Sequence, residues 1–173
     1  GLAVTDVAAV TAAAEMLKRI RPYVTRFSSS GYIEELAGGG LCVVMGYSGD
    51  INIARQRAIE TKSGHDIQAL IPPTGATLFF DTMAIPKDAK NVKNAHLFIN
   101  YILRPEVHAG LTNKVFYANP NAASKKFVQK SVADNATIFL SAADLKKMTA
   151  PDAVPPLGID RRDRRVQRRR AVR

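Results

Sequence analysis

Cysteine is almost missing from this chain. Cys42 stands alone, which excludes an internal disulfide and any zinc site built from several cysteines. Its apolar neighbourhood predicts a buried thiol acting as a small hydrophobe. Long apolar runs are also absent, and nothing approaches the roughly 18 residues that cross a bilayer. The chain opens at Gly1 with no basic segment leading into an apolar one, so no leader reveals its compartment. Histidine is scarce, and His65, His96 and His108 lie far apart, leaving no cluster for a metal and few general bases. Gly38-Gly39-Gly40 precedes an expected strand instead of opening a helix, so it does not read as a phosphate cradle.

What remains is ordinary in bulk. The 173 residues are 46% hydrophobic and 23% charged, enough for one domain with a real core. The net charge of +10 suggests a nucleic-acid partner until its distribution is seen. Residues 159–173, "IDRRDRRVQRRRAVR", hold eight Arg against two Asp, which leaves only +4 on the other 158 residues. The basic signal belongs to a tail and says little about the fold.

Periodicity and punctuation predict an α/β order. "DVAAVTAAAEMLKRI" (6–20) suits a helix with Val10, Leu17 and Ile20 on one face, capped by Thr5 or Asp6 and ended by Arg21-Pro22. "SSSGYIEELAGGG" reads as a short helix capped by a serine and stopped by the glycines. A strand is expected at 41–46, then a helix from about Asp50 to Thr61. Two further strands, "DIQALIPP" and "ATLFFDTMAIP", flank a turn at Pro73-Thr74-Gly75. Helix 91–103 should place Ala95, Phe98 and Ile102 on one face, and Pro105 should stop it and open the next. A short helix near Ala142–Met148 closes a loop-rich end.

The turn "GYSGD" (46–50) invites comparison with the nucleophile elbow of hydrolases. That elbow needs G-x-S-x-G, and here the second glycine arrives one residue early. A triad around Ser48 would also need an acid and then a histidine later in the chain, and His65, His96 and His108 are each isolated. The chain lacks a nucleophile–base pair, a metal cluster and a phosphate loop, so no enzyme activity, cofactor or metal is expected. On this stretch alone Asp50 reads first as a helix N-cap, with a ligand contact as the alternative.

A second stretch shifts that balance. Strand alternation in "ATLFFDTMAIP" would put Thr77, Phe79 and Asp81 on one face, ending an aromatic face in a carboxylate. The chain thus offers aromatic plus Asp twice, at Tyr47/Asp50 and Phe79/Asp81. An aliphatic polyamine needs that combination. Each ammonium must meet a carboxylate as its water is stripped, and flat aromatic faces suit the methylene chain and attract the cationic ends. Tyr117 or Ser29 could orient the carboxylates.

The order "YIEELAGGGLCVVMGYSGDINIARQRA … IPPTGATLFFDTMAIP … NAHLFINYILRPEVHAGLTNKVFYANPNAAS" resembles the periplasmic spermidine/putrescine substrate-binding proteins of bacterial ABC transporters, the putrescine branch above all. The similarity runs from about Val10 to Asp160. It implies a periplasmic-binding-protein-like (type II) α/β fold, two lobes joined by hinge strands that close on a polyamine for delivery to a membrane permease. By the same resemblance Asp50 and Asp81 are the ligand carboxylates and Tyr47 and Phe79 the aromatic clamp, while Tyr117 and Ser29 are further cleft contacts.

Three departures qualify that likeness. Tryptophan usually stands where this chain has Tyr47, so the platform is smaller and carries a hydroxyl. The family's chains are roughly twice as long, so only the C-terminal half is represented. Residues 1–81 would then belong to the second lobe, 82–124 cross into the first, and 125–158 return. The missing N-terminal half becomes an expected partner, and exposed apolar surface is expected without it. Lastly, the Arg-rich tail (159–173) replaces the family's usual ending and reads as disordered or as translation of a GC-rich gene in a shifted frame. Two other readings stay open at this point: non-specific, salt-dependent nucleic-acid binding through the tail, and a truncated binding protein without function.

Overall fold

The structure, a computed structural model, describes residues 6–150. These fall into two units, residues 26–149 and residues 6–25 with Ala150. The expected cap at Thr5, the end of the returning segment and the Arg-rich tail lie outside the described residues.

In the smaller unit, helix α1 (Val7–Ile20) begins where the Asp6 side chain accepts from the Ala9 amide at 3.1 Å. It ends in a 3-10 turn (Arg21–Tyr23) imposed by Pro22. Val10, Leu17 and Ile20 do share a face, but each is about half exposed.

The larger unit is built from helices α2 (Tyr32–Ala37), α3 (Ser48–Glu60), α4 (Val92–Ile102), α5 (Pro105–Val115), α6 (Lys130–Ala133) and α7 (Ala142–Leu145), with a 3-10 stretch at Ala122–Phe127. Gly31 starts α2 with φ +79°, a left-handed conformation that glycine adopts cheaply, and no serine caps it. The Ser28 hydroxyl instead closes its own turn with Ser30. α3 starts two residues earlier than expected: Tyr47 is its N-cap, and Asp50 is the third residue of its first turn instead of the cap. Pro105 opens α5 at its first position, where a missing amide costs nothing. α5 ends on Phe116 at φ +56°, a left-handed residue that turns the chain sharply back. Such a conformation costs a non-glycine residue about 1–2 kcal/mol. Ser141 caps α7 by accepting from the Asp144 amide.

The core is small. Leu36 and Ala37 of α2, Ala54 and Ala58 of α3, and Ile67 form one cluster, with Ile33, Val44 and Ile51 packed on it. Alanines at 54 and 58 keep α3 thin enough for α2 to lie close. A buried polar network fixes α3 from the other side. Asn52 donates to the Ser48 carbonyl and to Thr137 Oγ1, and accepts from Asn135. These bonds satisfy an amide that would otherwise be costly to bury.

None of the three expected strands forms among the described residues, whose sheet pairing is limited to one isolated parallel bridge between Thr77 and Thr149. A strand is a partnership, and a parallel one buried on both faces needs neighbours on either side. Residues 41–47 and 66–72 have none, and they leave Met45 fully exposed, Val43 90% and Leu70 83% exposed. With its pairing limited to that bridge, the alternation expected for 76–86 does not sort its residues either: Phe79 and Phe80 are both exposed. Cys42 is exposed for the same reason, against the expectation of burial. On α4 the least exposed positions are Ala95, Ile99 and Ile102, while Phe98 faces solvent, so the expected face is right at two of its three members. The tight turn is where expected, closed by the Gly75 amide on the Pro72 carbonyl.

Candidate functional site

Two glycines build this site by making room. A Cβ on Gly46 would stand 2.8 Å from the Tyr32 ring, and one on Gly49 would stand 2.1 Å from the Tyr117 ring. Each glycine therefore admits one tyrosine against the start of α3. Both phenols reach the same carboxylate: Tyr32 Oη donates to Asp50 Oδ2 at 2.5 Å, and Tyr117 Oη donates to Asp50 Oδ1 at 2.7 Å. "GYSGD" is thus a cradle for two aromatic rings around an aspartate. Among the described residues the Ser48 hydroxyl makes no hydrogen bond, and no strand precedes it as an elbow requires.

Each tyrosine is delivered by a distinct local device. Tyr32 is the first residue of α2, directly after left-handed Gly31, and is only 5% exposed. Tyr117 follows left-handed Phe116, which swings it out of the α5 path. The loop beyond it, "NPNAAS", is held by its own side chains. Asn119 donates to Thr112 Oγ1 and accepts from Ser124 Oγ and the Asn121 amide, while Asn121 donates to the Leu103 carbonyl. Thr112 and Ser124 are fully buried there. The asparagines anchor the loop that aims Tyr117.

The electrostatics follow from this geometry. Burial first, and then donation to Asp50, push the Tyr32 phenol up to about 12. The same causes raise Tyr117 above the ordinary phenol range. Both hydroxyls therefore stay protonated and stay donors at neutral pH. Each carboxylate oxygen of Asp50 takes one hydrogen bond and keeps lone-pair capacity for another donor. Asp50 also sits in the first turn of α3, where the unpaired helix amides favour negative charge.

Three residues before Asp50, Tyr47 sends its amide to the Tyr32 hydroxyl at 3.4 Å, and its ring meets Phe79 edge to face, with centroids 5.4 Å apart and planes at 74°. Both rings are about half exposed, so each still offers a surface. Of the residues singled out from sequence, Asp50 and Tyr117 are hydrogen-bonded to each other, and Tyr47 and Phe79 form the ring pair. Asp81 lies exposed two residues after Phe79, with no hydrogen bond or ion pair among the described residues. Ser29 is exposed within the turn made by its neighbours. Tyr32 was missed, because it stands 18 positions before Asp50 and no local pattern links the two. The available clue was that a buried tyrosine needs a partner for its hydroxyl.

No group of three or more metal-ligating side chains occurs among the described residues. Nor is any helix there long and apolar enough to cross a membrane. What these residues offer is a carboxylate held by two phenols and a half-exposed aromatic pair, groups suited to a cation with an apolar body.

Comparison with known proteins identifies the family. The profile of the family described as bacterial extracellular solute-binding protein matches residues 1–139. The putrescine-binding periplasmic protein SpuD of Pseudomonas aeruginosa is 45% identical over 142 residues, covering 82% of this chain and 39% of that protein. The putrescine-binding periplasmic protein PotF of Escherichia coli is 44% identical over 127 residues, covering 73% of this chain and 34% of its own. The spermidine/putrescine-binding periplasmic protein of Escherichia coli is 31% identical over 142 residues. The chain therefore spans less than half the length of these relatives. With a family profile spanning most of its length, and geometry suited to holding a solute, the chain belongs to the bacterial extracellular solute-binding protein family.

Proposed function

We propose that this chain forms part of a periplasmic polyamine-binding protein, with putrescine the first candidate ligand, which hands its solute to the permease of an ABC transporter. One observation carries the reading: Asp50 is held by two tyrosine hydroxyls, and Tyr47, whose amide donates to one of them, pairs its half-exposed ring with Phe79. An ammonium group brings three donors and no acceptor. It gains little from a serine-rich or amide-rich site, and most from a carboxylate whose remaining lone pairs are held in place. In this reading Asp50 takes one ammonium end, Asp81 the other, and Tyr47 and Phe79 cover the methylenes between. Tyr117 aims Asp50, and Ser29 contacts the ligand from the edge. The relatives named above are binding proteins for the same solutes, which supports the assignment and gives no reason to expect catalysis.

The lobe division is part of the proposal. Residues 1–81 and 125–158 belong to one lobe of the two-lobed fold and 82–124 cross to the other, where the missing N-terminal half completes it. The apolar side chains that α4 leaves in solvent, Leu97, Phe98 and Tyr101, support this, since a helix with such a face ordinarily has a partner.

Calorimetry with putrescine, cadaverine and spermidine tests the function. The expected result is one-to-one binding that Asp81→Asn weakens at least tenfold and that deletion of residues 161–173 leaves unchanged. Binding that survives Asp81→Asn but disappears with the tail would overturn it in favour of non-specific charge effects.

A further inference from the structure

We infer that Tyr32 is the positioning residue of this site, locking the Asp50 carboxylate to the backbone that carries the aromatic platform. The inference rests on the polyamine reading for its consequence, though not for its geometry. The Tyr32 hydroxyl stands in the middle of a short chain of hydrogen bonds. It accepts from the Tyr47 amide at 3.4 Å and donates to Asp50 Oδ2 at 2.5 Å. One oxygen thereby joins the residue that supplies the ring to the residue that supplies the charge. A hydroxyl that accepts from one partner becomes a better donor to the next, so the two bonds reinforce each other.

Tyr32 is not placed to touch a solute itself. It is 5% exposed, whereas Tyr47 and Phe79 are about half exposed. Its ring lies against Gly46, where an added Cβ would stand within 3.1 Å of the phenolic carbon and oxygen as well as of the ring edge. The hydroxyl end of the buried side chain is thus packed against Gly46. Tyr117 differs in kind. It reaches the other Asp50 oxygen from the far end of α5, along a left-handed turn and a side-chain-braced loop. Removing Tyr117 frees one oxygen, while removing the Tyr32 hydroxyl also strands the Tyr47 amide.

Tyr32→Phe keeps the ring and removes only the oxygen. Putrescine affinity should fall about tenfold in that variant, measured by calorimetry on the full chain. In an Asp50→Asn background the same substitution should produce no further fall, because a positioning residue acts only through the group it positions. A fall of equal size in both backgrounds would mean that Tyr32 is merely structural, and would overturn the inference. So would an affinity unchanged by Tyr32→Phe.

A second readout needs no ligand. A buried phenol–carboxylate hydrogen bond slows exchange of its proton, so the hydroxyl proton resonance assigned to Tyr32 should be lost in Tyr32→Phe and in Asp50→Asn but kept in Tyr117→Phe. If the wild-type chain shows that pattern yet binds no polyamine, the polyamine reading fails while the positioning role stands. If the resonance is absent from wild type, or survives Tyr32→Phe, the positioning role fails whatever the chain binds.

Discussion

Gly49→Ala is the sharpest probe of how the site is assembled. The new Cβ would lie 2.1, 2.3 and 2.5 Å from three atoms of the Tyr117 ring. These contacts are to the body of a planar ring on a braced loop, so no small rotation relieves them, and Tyr117 must leave. Forcing extra volume into a packed contact costs about 1–3 kcal/mol. Losing a hydrogen bond to a charged group costs about 1.5–3 kcal/mol more. Alanine returns up to about 1 kcal/mol through its better helix propensity. The net expectation is a loss of about 2–5 kcal/mol, read as a lower urea midpoint with an unchanged slope. Polyamine affinity should drop by more than tenfold, because Asp50 loses the donor on its Oδ1. A Gly49→Ala variant as stable as wild type, with the Tyr117 ring still against α3, would refute the reasoning.

Two further outcomes follow from the same structure. Gly110 lies in the middle of α5 with nothing within 4 Å of an added Cβ, so Gly110→Ala should raise stability by about 0.5–1 kcal/mol in the same urea assay. A loss there would mean that the helix surface is covered by something this structure does not contain. Alkaline pH offers the other. The Tyr32 phenol is raised to about 12 in the folded chain against an ordinary value of about 10, so its contribution is fully present below about pH 10 and is lost as pH climbs towards 12. The stability gap between wild type and Tyr32→Phe should therefore be wider at pH 8 than at pH 11, and equal gaps would contradict the account.

The helices were legible in the sequence where local chemistry sets them. Asp6, Pro22 and Pro105 act through their own neighbours, and each marks a boundary within a residue or two of where it stands. The strands were not, because pairing depends on segments distant in the chain. The apolar runs 41–46 and 76–86 have the right composition, yet within the described residues they find no ladder. Asp50 could be read as a cap or a ligand group from its position alone. Two tyrosines, 18 positions before it and 67 after it, hydrogen-bond its carboxylate, and no local pattern announces them. Gly46 and Gly49 were visible from the start, but as parts of a failed elbow. Their role as clearances for two rings needed the third dimension.

The central claim is that the doubly hydrogen-bonded Asp50 carboxylate is an anchor for an ammonium group. Titrating putrescine into the wild-type chain and into Asp50→Asn tests it most directly, since the amide keeps the shape of the side chain and removes its charge. Saturable one-to-one binding to wild type is expected, with at least a tenfold loss in the variant. Equal binding to both, or no binding to either, would contradict it.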